Sequence, residues 1–395
     1  MNARRPIPRA ERIARLAARH LLDAGDGAGS VTEVVERLVA LHATDPATVH
    51  LSVAARLRQP ERMAALMDEA LYGRPPALVR MLAMRRTMFV VTRQDAPAVY
   101  AAAGQQIAAR ERTGLLARLA EGGGWDEAWL AAVEAEVVAA LGERGECSGA
   151  ELARLVPGLR EQVVVARGKP YETRQNVASR IIRTMAAEGR IERRRPVGSW
   201  ISGQFRWAVA EPLPPRPVDE ARAEVVGAWL RAYGPGTEAD LAWWTGWALG
   251  VVRRALGAVG AEPVQLAEGP GWVLSGDADA AEEGPGPAAR LLPALDPTPM
   301  GWRDRDWFLP PDHRAALFDR TGNVGPTVWW GGEVIGGWAQ PPDGTVVWRQ
   351  LADRGREARA AVDERAAHLT ALLAGVRITP RFRTPLEREL SAPPA

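Results

Sequence analysis

Residues 173–209 read TRQNVASRIIRTMAAEGRIERRRPVGSWISGQFRWAV, and the fold class turns on this stretch. Val177, Ile181, Ile182 and Met185 recur at the three- and four-residue spacing of one helical face, and Gly189 is placed to stop that helix. Arg174, Gln175, Arg180 and Arg183 are left for its outer surface. Arg190, Arg193, Arg194 and Arg195 then run into a Pro196-Val197-Gly198 turn, and Phe205, Trp207 and Val209 alternate on the return. Upstream, Ser148-Gly149-Ala150-Glu151 forms a capping box that opens a shorter helix, which Pro157-Gly158 ends. A capped helix, a second helix with a basic outer face and a basic hairpin make the plan of a winged helix.

The same plan is read on either side. Met1 to Leu22 reads as a first helix, and Ser30-Val31-Thr32-Glu33 caps another that carries Val31, Val34, Val35, Leu38 and Leu41 and stops near Asp45-Pro46. Leu78 to Thr92, rich in Val, Met, Phe and Thr, suits strands. Beyond a proline-rich linker, Glu211 to Pro217, Thr237-Glu238-Ala239-Asp240 caps a helix whose Trp243, Trp244 and Trp247 are expected to pack internally. Ala281 to Ala288 reads as a flexible acidic connection. Val328 and Trp330, Val334 and Trp338, and Val346 and Trp348 then alternate around two turns as a β-meander. A helix burying Val362, Ala366, Leu369 and Leu373 follows, and an extended tail presents Arg377, Arg381 and Arg383. The expected fold is α+β: winged-helix modules over 1–125, 126–216 and 217–280, with a β-rich unit over 281–395.

Composition narrows the function. The 395 residues are 47% hydrophobic, enough for several packed units, and the net charge is only +2. Lys169 is the only lysine among 50 basic residues, and Ala, Gly and Arg abound throughout, so arginine number alone does not mark a nucleic-acid partner; its clustering does. Cys147 is the sole cysteine, which excludes an internal disulfide, and no Cys/His/Asp/Glu grouping has the spacing of a zinc site or a metal-dependent nuclease. Neither metal nor cofactor is called for, and a cytoplasmic location is expected. No uninterrupted apolar stretch approaches the roughly 20 residues that span a bilayer.

Six stretches together carry a family resemblance: LVALHATDP (38–46), VRMLAMRRTMFVV (79–91), MAAEGRIERRRP (185–196), DLAWWTGW (240–247), LLPALDP (291–297) and GNVGPTVWWGGEVIGGW (322–338). The chain resembles the AlkZ/YcaQ class of winged-helix DNA glycosylases along nearly its whole length. The resemblance implies a C-shaped molecule, three winged helices and a β-barrel-like unit around duplex DNA, which releases alkylated purines at its concave face. It implies an open cleft that tolerates bulky adducts, and a role in self-resistance to a DNA-alkylating natural product. Two positions depart from the pattern. The family's Gln-x-Gln or Gln-x-Asp before an acidic residue and proline is His42-Ala43-Thr44 here, and its Arg-Gly-Thr is Arg85-Arg86-Thr87.

A guanine alkylated at N7 is already cationic and leaves without protonation, so the enzyme needs only to hold a water against the anomeric carbon and stabilise an oxocarbenium-like transition state. His42 is expected to hold or deprotonate that water, with an inflection near its ordinary pKa of about 6.5. Thr44 would share the water, and Asp45 would orient His42 or steady the cation, although Asp before Pro is equally a turn former. A lone histidine in an apolar segment is ordinarily structural; the resemblance is what assigns His42 to catalysis, while His50 and His313 read as structural. Arg85, Arg86, Arg180, Arg183, Arg193, Arg194, Arg195, Arg377, Arg381 and Arg383 are the expected DNA contacts. The expected partner is duplex DNA carrying alkyl adducts, bound by a monomer, since no dimerisation coiled coil is visible. A non-catalytic DNA binder, regulatory or adduct-sequestering, is the competing reading.

Overall fold

Side-chain caps decide where the helices begin. In the computed structural model, which describes residues 4–166, 168–279 and 284–392, the Ser30 hydroxyl accepts from the Glu33 N–H at 3.1 Å. Ser148 with Glu151, and Thr237 with Asp240, form complete capping boxes. Asp45-Pro46 behaves the opposite way from expectation. The helix Val31–Leu38 has already ended at Val39, and Asp45 is instead the N-cap of Pro46–Ala54, its carboxylate accepting from the Ala47 N–H at 3.0 Å. An Asp N-cap followed by Pro in the first turn is a starting signal, because that turn has no intrahelical partner for the missing N–H. Leu41–His42 is thereby freed to be a short strand, and His42 lies opposite Phe89 in the sheet rather than at a helix end.

The fold is mixed α+β. Three times, helices lead into an antiparallel hairpin: Leu78–Ala83 with Thr87–Thr92, Ile191–Pro196 with Phe205–Val209, and Glu262–Leu266 with Gly269–Val273. Each gains a short third strand, respectively Leu41–His42, Cys147–Ser148 and the N-terminal Arg5–Pro6. An additional hairpin, Gln162–Val165 with Thr173–Asn176, precedes the basic helix, which is confined to Ala178–Ala187. Arg174 and Gln175 therefore lie on a strand. The Asn176 side chain accepts from the Ala178 N–H at 2.7 Å, which sets the helix start two residues later.

The C-terminal meander forms as expected, with Ala289–Leu292 added at its other edge. The expectation of a barrel-like unit is corrected: the four strands form an open sheet, and the helix Gly355–Leu373 covers one face through Val362, Ala366 and Leu373. Residues 374–384 have no regular structure, and the chain closes with a short helix, Pro385–Leu390, in place of the expected extended tail. The connection expected at 281–288 falls partly outside the described residues.

One apolar cluster joins the N-terminal helix Arg9–Arg19, the first hairpin, the Val218–Tyr233 region and the C-terminal unit, with Phe89, Trp229, Trp302 and Trp329 among its members. A separate core, including Leu115, Leu130, Ile181 and Trp207, holds the middle of the chain. Beside the first lies a buried ion pair. The guanidinium of Arg56 meets the Asp296 carboxylate through two parallel bonds of 2.9 and 2.8 Å and also donates to the Thr298 hydroxyl and the carbonyls of Ser52 and His20. His20 reaches Thr298 and the Ala232 carbonyl through its two ring nitrogens. Four segments distant in sequence thus meet through one fully buried charge pair. Arg56→Met, which strands the Asp296 carboxylate, is expected to lower the unfolding free energy by about 3–5 kcal/mol in urea titration; a loss below about 1 kcal/mol would contradict that role.

Candidate nucleic-acid interface

The helix Ala178–Ala187, the hairpin strands after it and the long helix Gln105–Gly123 enclose a cavity of about 650 Å³ against the first hairpin. Arg180 and Arg183 enter from the basic helix, Arg193 from the strand, Arg80 and Arg86 from the first hairpin, and Arg110 and Arg118 from the long helix. Two acidic residues line it: Glu111, whose carboxylate pairs with Arg86, and Glu192, whose carboxylate is taken by Arg194 on the opposite face of the strand. Burial pushes the Arg193 guanidinium down to about 10, with Arg80 and Arg183 repelling it further. Arg180 is lowered too, by burial and by Arg118 and Arg183. Cations gathered this closely destabilise one another until an anion enters, so the cavity is preorganised for polyanion binding.

The expected DNA contacts divide in two. Arg86, Arg180, Arg183 and Arg193 converge on this cavity. Arg194 points the other way, as alternation along a strand requires, and at 6% exposure is bound to Glu146, Glu192 and the Tyr72 carbonyl. Arg195 is exposed but held by Asp68 through both carboxylate oxygens. Arg383 grips the buried Glu387 at 2.7 and 2.9 Å, Arg377 bonds the Pro342 carbonyl, and Arg381 donates to the Thr44 carbonyl at 3.3 Å. Arg194 is therefore an internal strut, and Arg383 is tied to its own C-terminal helix away from the cavity. Arg85 is also turned inward, its guanidinium 4.2 Å over the Trp243 ring, where Arg305 lies at 4.7 Å. Trp243 is consequently a half-exposed platform between two cations, and of the three tryptophans only Trp244 is fully internal.

The segment after the short strand separates the three expected catalytic groups. Thr44 is half-buried and lines the arginine cavity. Asp45 faces inward: besides capping its helix, it accepts from the Arg381 backbone N–H at 3.0 Å, which leaves it a structural clasp on the C-terminal segment. His42 is 4% exposed, lies against Phe89 with ring centroids 4.7 Å apart, and does not open on the cavity. Its Nε2 is buried without a hydrogen-bond partner among the described residues. Burial, reinforced by Arg85 and Arg305, pushes its pKa down to about 3, so the ring is neutral and has no inflection near 6.5.

Sequence reasoning missed Arg80, Arg110, Arg118 and Glu111. A signal existed for two of them: Arg110, Gly114 and Arg118 recur every fourth residue and so share one helix face. Arg85 and Arg86 hold another surprise, a pair of left-handed residues at φ 54° and 58°, a conformation that costs a non-glycine residue about 1–2 kcal/mol. The cation stack on Trp243 and the Arg86–Glu111 ion pair fix them there.

A family model described as DNA glycosylase AlkZ-like matches residues 35–372. The chain belongs to the AlkZ-like DNA glycosylase family. The solved structure of Streptomyces sahachiroi DNA glycosylase AlkZ is similar to this AlkZ-like chain with a TM-score of 0.65 at 22% identity, over 95% of this chain and 99% of that one. At that identity the likeness speaks for the fold. No curated protein matches the sequence. Membership supports DNA as the substrate of this AlkZ-like glycosylase and hydrolysis of an N-glycosyl bond as its reaction class. No group of three or more metal-ligating side chains and no helix long and apolar enough to cross a membrane occurs among the described residues.

Three buried histidines give this AlkZ-like protein a pH signature. His42 falls to about 3, His50 to about 4 and His20 well below its ordinary value, each chiefly because burial penalises the charged ring. Between these values and about 6.5 the unfolded chain binds more protons, so stability is whole above pH 6.5 and falls on acidification by about 1.4 kcal/mol per unit for each histidine. Urea midpoints are expected to drop from pH 7.5 to 5.5; an equal or higher midpoint at 5.5 would contradict the assignment.

Proposed function

We propose that the protein is a monofunctional glycosylase that hydrolyses the N-glycosidic bond of bulky N7-alkylguanine in duplex DNA, with the three helix-and-hairpin segments acting as winged helices that curve around the duplex. The observation that carries this reading is the convergence of seven arginines and Thr44 on one cavity. Phosphates would neutralise the arginines, and such contacts hold a duplex without regard to sequence. The width of the cavity, with exposed Arg86 and Arg183 at it, favours an adduct too large for a tight base pocket.

The chemistry asks little. As the C1′–N9 bond breaks, its electron pair neutralises the cationic purine, and water supplies the oxygen that bonds to C1′ and releases a proton. The Thr44 hydroxyl, on the cavity lining, would hold that water. Glu111 is the carboxylate of the same wall, suited to offset the developing charge on the sugar, and the proton passes to solvent. Its ion pair with Arg86 holds Glu111 ionised, which favours that electrostatic role over proton acceptance. Neutral His42 acts behind Thr44 as a spacer that keeps the strand packed on Phe89. The only lysine, Lys169, is absent from the cavity lining, which favours hydrolysis over an amine-dependent lyase reaction. A role in removing self-inflicted antibiotic adducts, in the cytoplasm and as a monomer, completes the proposal.

One observation favours a non-catalytic binder instead: two of the three expected catalytic groups are turned away from the cavity. Single-turnover assays on duplexes with one N7-alkylguanine, scored as alkali-labile abasic sites, separate the two readings. Strand cleavage after alkali is expected, with a rate nearly flat from pH 6 to 8 and lowered by about 10²-fold in Thr44→Ala. Binding without abasic sites would support the binder, and full activity in Thr44→Ala would remove that residue from the mechanism.

A further inference from the structure

A second cavity, of about 310 Å³, lies away from the arginine wall, between the helix Pro46–Ala54, the strand Ala289–Leu292 and the helix Gly355–Leu373. Its body is apolar: Leu51, Leu57, Leu291, Trp338, Leu369 and Leu372 line it. Into this lining the sequence sets a charge. Arg290 is 8% exposed, yet no carboxylate pairs with it among the described residues. Its terminal nitrogens donate to the carbonyls of Ala289 and Asp23, and its Nε is buried with no partner. A guanidinium carries five N–H donors, and with Nε covered one on each terminal nitrogen remains for a ligand.

The other charges at the cavity do not answer this need. Arg56 is committed to Asp296. Arg58, Arg365 and His368 stand exposed at the rim, and so do the carboxylates of Asp26 and Glu61. Burial holds the Arg290 pKa down to about 10, with Arg365 and Arg56 adding repulsion that the nearby Asp23 only partly offsets. A buried cation without a bonded anion costs several kcal/mol. The size is that of a small-molecule pocket, with apolar walls, a charged rim and one buried polar anchor.

We propose that this cavity binds a small organic anion, a carboxylic acid on a flat apolar body, whose carboxylate pairs with Arg290 while its rings lie among Leu51, Leu291, Trp338 and Leu369. The site is independent of the glycosylase reading, since none of its lining residues belongs to the arginine wall. It also touches the helix that Asp45 caps.

The probe is 2-naphthoate, titrated calorimetrically into the full-length protein beside its uncharged analogue 2-naphthylmethanol. One saturable site for the acid is expected, with the alcohol at least about tenfold weaker, since it cannot form the charge-assisted bond. Arg290→Met is expected to weaken the acid to the level of the alcohol. Because that variant removes a buried side chain, two others carry the test if it does not fold: Leu369→Trp, which fills the cavity, should abolish binding, and Arg365→Gln at the rim should weaken it severalfold. Arg183→Gln, in the other cavity, should leave it unchanged. No saturable binding, equal affinity for the alcohol, or full affinity in Leu369→Trp would overturn the proposal.

Discussion

The bidentate pair between Arg56 and Asp296 fixes how the chain is assembled. A charge buried on both sides is tolerated only when its partner is in place, so the end of the helix Pro46–Ala54 and the turn after the strand Ala289–Leu292 must meet in one geometry. His20 and Thr298 extend the constraint to the N-terminal helix region and to the Ala232 carbonyl. The helix that Asp45 begins therefore has a pinned far end, and its near end is clasped by the Arg381 backbone. Thr44, immediately before it, inherits that rigidity. A reacting group set on a fixed element loses little entropy when substrate arrives.

Electrostatics then divides the molecule into two kinds of arginine. One kind is consumed: Arg56, Arg194, Arg195 and Arg383 satisfy carboxylates and carbonyls and hold elements together. The other kind is left facing its own like: Arg180 and Arg193 lie among cations in the cavity, and burial, with that company, reduces their proton affinity. Only the second kind gains from a polyanion. Near-zero net charge hides this arrangement, because the total does not show where along the fold the charges gather.

What the sequence shows, it shows through local chemistry. Ser148 and Thr237 announce their helices because a cap is a contact within four residues, and the alternation from Val328 to Trp348 announces the meander because period two is a property of the strand itself. The basic helix is legible for the same reason, apart from Arg174 and Gln175, which the added hairpin claims. Failures come from contacts made across long distances. Nothing near Arg194 reveals that Tyr72 and Glu146 will bury it, and nothing near Asp45 reveals that Arg381 will take its second oxygen. Likewise His42 looks available along the chain, and only the pairing of its strand with Phe89 encloses it.

If the arginine cavity receives the phosphate backbone, the salt dependence of duplex affinity reports it most directly. With Arg86, Arg183 and Arg193 all changed to Gln, the slope of log K against log salt should flatten by about 0.9 for each phosphate that is no longer neutralised, roughly 2.7 in all, equally on unrelated sequences. A slope identical to that of the unaltered protein would show that DNA is held elsewhere.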